Sequence, residues 1–179
     1  MSAVLPPPWL IVFSGLPGTG KTTVAKALAV ALGAVYLRID TIEQAIRDAG
    51  VLAGDVGTSG YRVAHELATT QLLLGHRVIA DGVNPVAESR QAWREVARHA
   101  NARLLDIQVV CSDRAEHQRR VESRLTDIAG LTPPDWQSVQ AHEYEPWAET
   151  PRCIDTALQS PQQAVAMIEA WLETDWPGA

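Results

Sequence analysis

The residues best suited to chemistry form one short stretch, Gly15-Leu16-Pro17-Gly18-Thr19-Gly20-Lys21-Thr22. It follows an apolar run and leads into a segment of helical composition. The spacing, Gly-x4-Gly-Lys-Ser/Thr between a strand and a helix, is that of a phosphate-binding loop. Glycines let backbone N–H groups turn towards an anion, and the helix that begins there adds its positive N-terminal dipole. The stretch therefore predicts a nucleotide-binding site.

The polar side chains of this loop have distinct predicted roles. Lys21 supplies a positive charge for the β- and γ-phosphates of a nucleotide, and the Thr22 hydroxyl is suited to the coordination shell of Mg²⁺. Lys21 and Lys26 are the only lysines in the chain, which sets Lys21 apart. We expect residues 15–23, with Thr23 the last of them, to bind ATP and Mg²⁺. No base-reading motif is visible, so the choice between ATP and GTP stays open.

The composition is that of an ordinary globular protein. The chain has 179 residues, of which 46% are hydrophobic and 20% charged, and this length suits a single domain over residues 1–179. The formal net charge of −6 and the lack of a lysine–arginine block disfavour nucleic acid and anionic membranes as partners. No basic leader or long apolar run is present, so we expect a cytoplasmic protein, monomeric or homodimeric. The two cysteines, Cys111 and Cys153, are predicted to be buried free thiols.

Apolar runs alternate with segments of helical spacing along the chain. Residues 1–8 read as a proline-rich leader and the final Trp-Pro-Gly-Ala as a tail. Strands are predicted at 9–14, 34–39, 77–80, 103–110 and 152–155, and helices at 20–32, 41–49, 61–74, 85–99, 113–125, 136–147 and 161–173. This alternation predicts an α/β fold, a parallel sheet with helices on both faces. Ligands of such folds bind outside the carboxyl ends of the strands.

Two aspartates follow predicted strands and should meet the phosphate-binding loop at that edge. Asp40 is suited to orient a substrate hydroxyl or to accept its proton. It also fits the N-cap of the next helix, with Glu43 completing a capping-box arrangement. Asp81 is suited to hold Mg²⁺ together with Thr22, although Asp-Gly is also common in turns. The sequence therefore predicts a substrate carboxylate and a metal ligand at one edge of the sheet.

Three arginines lie on the predicted helix that leads into a polar loop. Arg120 and Arg124 are spaced i, i+4 and would share a face, where like charges favour an anionic partner; Arg119 is the weaker candidate. Glu116 and Glu122 make a solvated face the alternative. We predict that a lid segment, residues 119–136, clamps phosphate with Arg120 and Arg124. Four further residues are candidates for an acceptor pocket, namely Arg38, Glu43, Arg47 and Arg90. Each of them, taken individually, is typical of a surface residue.

At this point the chain resembles the small P-loop kinases that include chloramphenicol phosphotransferase, zeta toxin-like kinases and gluconate kinase. It is most similar to the bacterial kinase group often labelled AAA domain-containing. The stretches that carry the resemblance are Gly15 to Thr23, Leu37-Arg38-Ile39-Asp40, the segment from Val78 to Pro85, Arg120-Val-Glu-Ser-Arg124 and Ile154-Asp155-Thr156. The resemblance implies a three-layer P-loop NTPase, like the nucleoside monophosphate kinases, with a five-stranded parallel sheet in the order 2-3-1-4-5.

The resemblance also implies roles for individual residues. A carboxylate after the second strand serves the acceptor, which corresponds to Asp40, and one after the third strand corresponds to Asp81. Lid arginines spaced four apart correspond to Arg120 and Arg124. Many relatives have arginine where this chain has Glu43, so the acceptor cannot be carried over from any of them.

Three functional hypotheses follow. The first is a kinase that transfers the γ-phosphate of ATP to a hydroxyl of a small molecule, with Lys21, Asp40, Arg120 and Arg124 as the catalytic set. The second is a nucleotide-binding regulatory module or slow ATPase without a small-molecule acceptor. The third, a nucleic-acid 5′-hydroxyl kinase, is disfavoured by the net negative charge.

Overall fold

Five strands and seven helices alternate in the structure, a computed structural model that describes residues 7–52 and 54–174. The elements are β1 (Trp9–Ser14), α1 (Lys21–Leu32), β2 (Val35–Arg38), α2 (Ile39–Asp48), α3 (Ser59–Leu73), β3 (Val78–Asp81), α4 (Ala87–His99), β4 (Arg103–Val110), α5 (Arg114–Ser123), α6 (Trp136–Ala141), β5 (Arg152–Asp155) and α7 (Pro161–Thr174). The predicted C-terminal tail and most of the predicted leader lie outside the described residues.

The strands form one five-stranded sheet in the order β2-β3-β1-β4-β5, and every neighbouring pair is parallel. In the middle of the sheet, Ile11 of β1 stands opposite Ile79 of β3 and Leu105 of β4. This topology confirms the predicted fold class and strand order. Because all strands run the same way, their carboxyl ends meet along one edge, where the loop after β1, the start of α2 and the loop after β3 lie together.

Helices cover both faces of the sheet because β1 is apolar on both. Ile11 and Phe13 pack into a cluster with residues of α1 and α7, whereas Leu10 and Val12 pack into a second cluster with residues of α3 and α4. All four side chains are at most 1% exposed. A strand buried on both faces reads as a continuous apolar run, which is what the sequence shows. The rigid central strand thus fixes the start of the loop that follows it.

The start of α2 differs from the prediction. The helix begins at Ile39, and its N-cap is Arg38, whose backbone is extended and whose side chain makes no capping hydrogen bond. Asp40 therefore lies in the first turn of α2, and the predicted N-cap role for Asp40 is wrong. A carboxylate in the first turn still interacts favourably with the helix dipole. Glu43 forms an ion pair with Arg47 at 3.4 Å instead of completing a capping box.

The helices on either side of the lid segment are shorter than predicted. α5 is capped by Asp113 as expected, but it ends at Ser123, and Arg124 already has an extended backbone. Arg120 and Arg124 therefore do not share a helix face as predicted. α6 ends at Ala141 because the following segment runs along the start of α4, where the Glu145 N–H donates to the Pro85 carbonyl at 2.8 Å.

The two cysteines differ in burial. Cys111 is a buried free thiol, as predicted, whereas Cys153 is a free thiol that is exposed. Cys153 lies on β5, one of the two edge strands of the sheet, where only Ile154 is buried. An edge strand has a neighbour on one side only, so an apolar sequence there does not ensure burial. In residues 7–52 and 54–174, no helix combines the length and the apolar composition needed to cross a membrane.

Candidate active site

A cleft of about 740 Å³ opens at the carboxyl edge of the sheet. Its volume is in the range of small-molecule sites. The loop after β1, the starts of α1 and α2, the end of β3, the end of α5 and the lid segment all contribute to its walls. The predicted site residues that line it are Pro17, Gly18, Gly20, Lys21, Thr22, Thr23, Asp40, Asp81, Arg120 and Arg124. The cleft therefore collects residues that are far apart in the sequence.

The phosphate-binding loop follows a path that its glycines make possible. Gly15 and Gly18 have φ of 141° and 81°, in the region that side chains rarely adopt. A Cβ on Gly15 would lie 2.2 Å from the Val109 carbonyl oxygen, and one on Gly18 would lie 2.4 Å from Cγ2 of Val121. Gly15 also donates its N–H to the Val83 carbonyl at 3.1 Å. Close contact with the backbone of β4 at Gly15 and with a side chain of α5 at Gly18 thus explains why these two positions are glycines.

Two residues that were not predicted as part of the site form hydrogen bonds with carbonyl groups of this loop. His117 of α5 is buried, and its Nε2 lies 2.8 Å from the Pro17 carbonyl oxygen. Thr156, just after β5, donates its hydroxyl to the Thr19 carbonyl at 2.7 Å. Thr156 belongs to a stretch that carries the family resemblance, but no spacing signal pointed to His117. Together they hold the loop through the carbonyl groups of Pro17 and Thr19.

Lys21 is buried at the base of the cleft, with only 7% of its surface exposed. Its ammonium group donates to the Leu16 carbonyl at 3.0 Å, and Leu16 also accepts from the Thr19 hydroxyl at 2.9 Å. Burial lowers the pKa of Lys21, and the negative charges of Asp81 and Asp40 oppose that shift. A lysine held among carboxylates at this depth provides a positive charge that water screens weakly.

Asp81 receives two hydrogen bonds on the same carboxylate oxygen. The hydroxyls of Thr22 and Tyr36 both donate to Oδ2, each at 2.7 Å. Burial, together with the charge of Asp81, raises the pKa of Tyr36, which keeps its phenol protonated and donating. Tyr36 was missed, although the alternation of β2 places Tyr36 and Arg38 on the same face of the strand.

The Thr22–Asp81 pair fits a magnesium ion. Mg²⁺ prefers hard oxygen ligands and is usually held by one or two protein oxygens together with substrate phosphates and water. The Thr22 hydroxyl and the Asp81 carboxylate supply two such oxygens beside the phosphate-binding loop. The described residues include no cluster of three His, Cys, Asp or Glu side chains that would hold a metal without a nucleotide.

Asp40 lines the cleft from the first turn of α2. Its side chain is 40% exposed, and Oδ2 is 3.6 Å from Nη2 of Arg38. Arg38 itself is buried, with a side chain only 3% exposed, and it donates through Nη1 to Oδ1 of Asp127 at 2.7 Å. Asp127 also pairs with Lys26. The hydrogen bonds from Lys26 and Arg38 hold the pKa of Asp127 well below its usual range.

The arginines of α5 reach the cleft by different routes. Arg120 donates to Glu116 at 2.7 Å and to the Thr156 hydroxyl at 2.8 Å. It therefore contacts the residue that bonds the Thr19 carbonyl of the loop. Arg119 also pairs with Glu116 at 2.7 Å, and these hydrogen bonds lower the pKa of Glu116 to about 2. Arg124 lines the cleft from beyond the helix end, near enough to contribute to the lowered pKa of Lys21.

The four acceptor-pocket candidates differ in whether they line the cleft. Arg38 lines the cleft, whereas Glu43, Arg47 and Arg90 do not. Arg90 is buried outside it and donates to backbone carbonyls, including those of Asn84 at 3.0 Å and Glu145 at 2.8 Å. Its guanidinium also lies over the ring of Trp147, 4.2 Å from the centroid. Arg90 thus fastens the segment after α6 to the start of α4.

Comparison with known proteins identifies the family. A family model described as an AAA domain matches residues 10–130, more than half of the chain. The chain belongs to this AAA domain family. An uncharacterized protein of Mycobacterium tuberculosis (strain H37Rv) is 34% identical over an alignment of 110 positions that covers 55% of this chain and 22% of that protein. The chain thus matches about a fifth of the length of that much longer relative.

Solved structures share the fold over nearly the whole chain. A candidate kinase of Chloroflexus aurantiacus has a TM-score of 0.74 at 23% identity and covers 94% of this chain and 97% of its own. The APS kinase CysC of Mycobacterium tuberculosis, in complex with AMPPNP and APS, has a TM-score of 0.70 at 19% identity and covers 94% and 99%. A sugar kinase of Janibacter has a TM-score of 0.66 at 21% identity and covers 94% and 95%. The fold is therefore that of the small P-loop kinases.

Proposed function

We propose that this protein is a phosphotransferase that moves the γ-phosphate of ATP to a hydroxyl group of a small molecule, with Mg²⁺ as cofactor. One observation carries the proposal: a single cleft brings together a phosphate-binding loop, an oxygen pair suited to Mg²⁺, a carboxylate and several arginines. Phosphoryl transfer needs positioning and charge neutralisation more than covalent chemistry from the protein. The similarity in fold to an APS kinase and a sugar kinase supports this proposal.

In the proposed mechanism the phosphates of ATP lie on the loop of residues 15–23. Backbone N–H groups and Lys21 bind them, while Thr22 and Asp81 would hold Mg²⁺, which neutralises phosphate charge when it is bound. Arg120 and Arg124 approach from the lid side and stabilise the negative charge of the transferred phosphoryl group. The lid segment excludes water, which would otherwise hydrolyse ATP.

Asp40 acts on the acceptor. Its carboxylate is partly exposed and lines the same cleft as Lys21, with α2 fixing its position. From there it orients the acceptor hydroxyl towards the γ-phosphate and accepts the hydroxyl proton as the new O–P bond forms. The ADP oxygen is the leaving group, so the products are ADP and a phosphate monoester.

Two variants test this proposal through ATP consumption, measured with and without a pool of hydroxyl-bearing metabolites. Lys21→Ala is expected to abolish turnover because it removes the positive charge at the base of the cleft. Asp40→Asn is expected to leave ATP affinity near normal and to reduce pool-stimulated turnover by about 100-fold or more, the usual contribution of a general base. Arg47→Gln, on the same helix but outside the cleft, serves as the matched control. Full activity in Lys21→Ala, or unchanged stimulation in Asp40→Asn, would refute the mechanism.

A further inference from the structure

Arg38 is a buried cation that faces the cleft. It is the last residue of β2 and stands opposite Asp81 in the sheet register. Its side chain is only 3% exposed, yet it contributes to the cleft wall beside Asp40. Removing a guanidinium from water is costly unless its donors find partners. The contacts of Arg38 therefore indicate what this part of the cleft is built to bind.

The donors of Arg38 are incompletely used. Nη1 donates to Oδ1 of Asp127 at 2.7 Å. Nε and Nη2 are buried without a hydrogen-bond partner, and Nη2 is only 3.6 Å from the Asp40 carboxylate. A guanidinium presents its N–H groups as a rigid fork that matches a carboxylate or phosphate through two parallel bonds. In Arg38, the edge of this fork formed by Nε and Nη2 has no hydrogen-bond partner.

The partner that Arg38 does have belongs to the lid segment. Asp127 is 51% exposed, lies between α5 and α6, and is shared between Arg38 and the 47% exposed Lys26 of α1. Because Asp127 is half exposed and lies on a loop, its carboxylate would be rehydrated if another anion took its place. Asp127 thus occupies, from within the chain, a position that suits an anion flanked by two cations.

We propose that Arg38 and Lys26 form the subsite for an anionic group of the phosphoryl acceptor, a group that takes the place of Asp127. The acceptor is then a hydroxyl compound that also carries a carboxylate or a phosphate, rather than a neutral polyol. This inference rests on the proposed kinase function and specifies its substrate class. It places the acceptor hydroxyl at Asp40 and the anionic group at the neighbouring Arg38.

The same arrangement accounts for specificity. A neutral acceptor would not displace Asp127 and would leave Nη2 of Arg38 without a hydrogen-bond partner in a buried site, and sites built to bond a polar group strongly reject ligands that lack it. An anionic group in the place of Asp127 can bond Nη1 and Nη2 of Arg38 end-on through two oxygens, which gives Nη2 a partner and releases Asp127 to water. Because Asp127 is part of the lid segment, its release also changes how the lid meets α1 and β2.

The test measures anion binding to the protein whose nucleotide site is already filled. The protein is saturated with AMPPNP and Mg²⁺, and acetate and inorganic phosphate are then titrated separately while the NMR signal of the Arg38 Nε–H group is followed. That signal is assigned by its loss in Arg38→Gln. We expect the signal to shift with at least one of the two anions, and the anion that binds distinguishes a carboxylate subsite from a phosphate subsite.

Two variants and a control complete the design. Anion binding is measured by calorimetry. Arg38→Gln is expected to weaken it by about tenfold or more, because a charge-assisted hydrogen bond is lost. Asp127→Asn is expected to strengthen it by about tenfold, because the carboxylate that competes with the anion is removed. Arg94→Gln, which alters an arginine–carboxylate pair with Asp106 at 3.7 Å outside the cleft, should leave binding unchanged. Because Asp127 is half exposed, its variant tests the inference even if Arg38→Gln does not fold.

The possible results separate the two proposals. Any of three results would overturn the subsite and leave the kinase function standing. They are anion binding that is unchanged in Arg38→Gln, anion binding that is unchanged or weaker in Asp127→Asn, and an Arg38 signal that responds to neither anion. Failure of AMPPNP to bind would instead refute the proposed function, and the subsite with it.

Discussion

A substitution at Gly18 tests most sharply how α5 shapes the phosphate-binding loop. Gly18 has φ of 81°, and a Cβ there would lie 2.4 Å from Cγ2 of Val121, which is buried in α5. We expect Gly18→Ala to cost about 1–2 kcal/mol for the positive φ and about 1–3 kcal/mol for the overlap. The sum, about 2–5 kcal/mol, is a large part of the total stability of a typical domain.

A double-mutant cycle separates the two costs. Val121→Ala removes Cγ1 and Cγ2 and should by itself lower the free energy of unfolding by roughly 1.6 kcal/mol or more, at about 0.8 kcal/mol for each of the two buried carbons. In the double variant the overlap disappears, so the two effects should fall short of additivity by about 1–3 kcal/mol. Gly33→Ala is the matched control, because Gly33 also has positive φ, 58°, but a Cβ there would meet nothing within 4 Å.

The assay is equilibrium unfolding in guanidinium chloride, with ATP affinity measured in parallel for each variant. Gly33→Ala should lose only the backbone cost, and Val121→Ala should partly restore both stability and nucleotide affinity to Gly18→Ala. Equal losses at Gly18 and Gly33, or strictly additive effects in the cycle, would refute the claim that contact with α5 determines the residue at this position.

Two further predictions concern polar groups of the sheet. Burial, opposed by Arg94, raises the pKa of Asp106 to about 6. The folded state therefore binds this proton more tightly than the unfolded chain, so stability should fall as the pH rises from about 4 to about 6. Asp106→Asn should remove that fall and raise the free energy of unfolding at pH 8 by up to about 3 kcal/mol, at 1.36 kcal/mol per pH unit. Urea titrations over this pH range check the prediction, with a variant of an exposed aspartate, Asp55→Asn, as control. A pH profile of stability that Asp106→Asn leaves unaltered would count against it. Tyr36→Phe should cost about 1–2 kcal/mol of stability by removing a donor to Asp81, and an unmoved denaturation midpoint would contradict this.

Much of the fold could be predicted because it depends on local patterns. The apolar run at 9–14, the glycine-rich loop after it and the helical spacing at 20–32 have direct physical meanings, and the structure confirms this strand, loop and helix. The strand order came from the family resemblance rather than from spacing, and it is also confirmed. Asp40 and Asp81 could be placed at the cleft because parallel strands end at a shared edge.

The remaining features depend on contacts between distant parts of the chain. α5 ends at Ser123, and the following segment brings Asp127 to Lys26 and Arg38, residues about 100 and 90 positions earlier. Likewise α6 ends early where Arg90 binds the carbonyls of the segment after it. Helical spacing contains no signal for either contact. Tyr36 is an exception, because its place two residues before Arg38 was visible in the sequence.

The measurement that tests the central claim most directly is the fate of the γ-phosphate. ATP labelled at that position is incubated with the protein, Mg²⁺ and a pool of hydroxyl-bearing metabolites that includes carboxylated and phosphorylated members, and the products are separated. A phosphotransferase predicts label in an organic phosphate ester, with the transfer lost in Asp40→Asn. Label that appears only as inorganic phosphate, at a rate that neither the pool nor Asp40→Asn changes, would contradict the proposed function and indicate an ATPase without an acceptor.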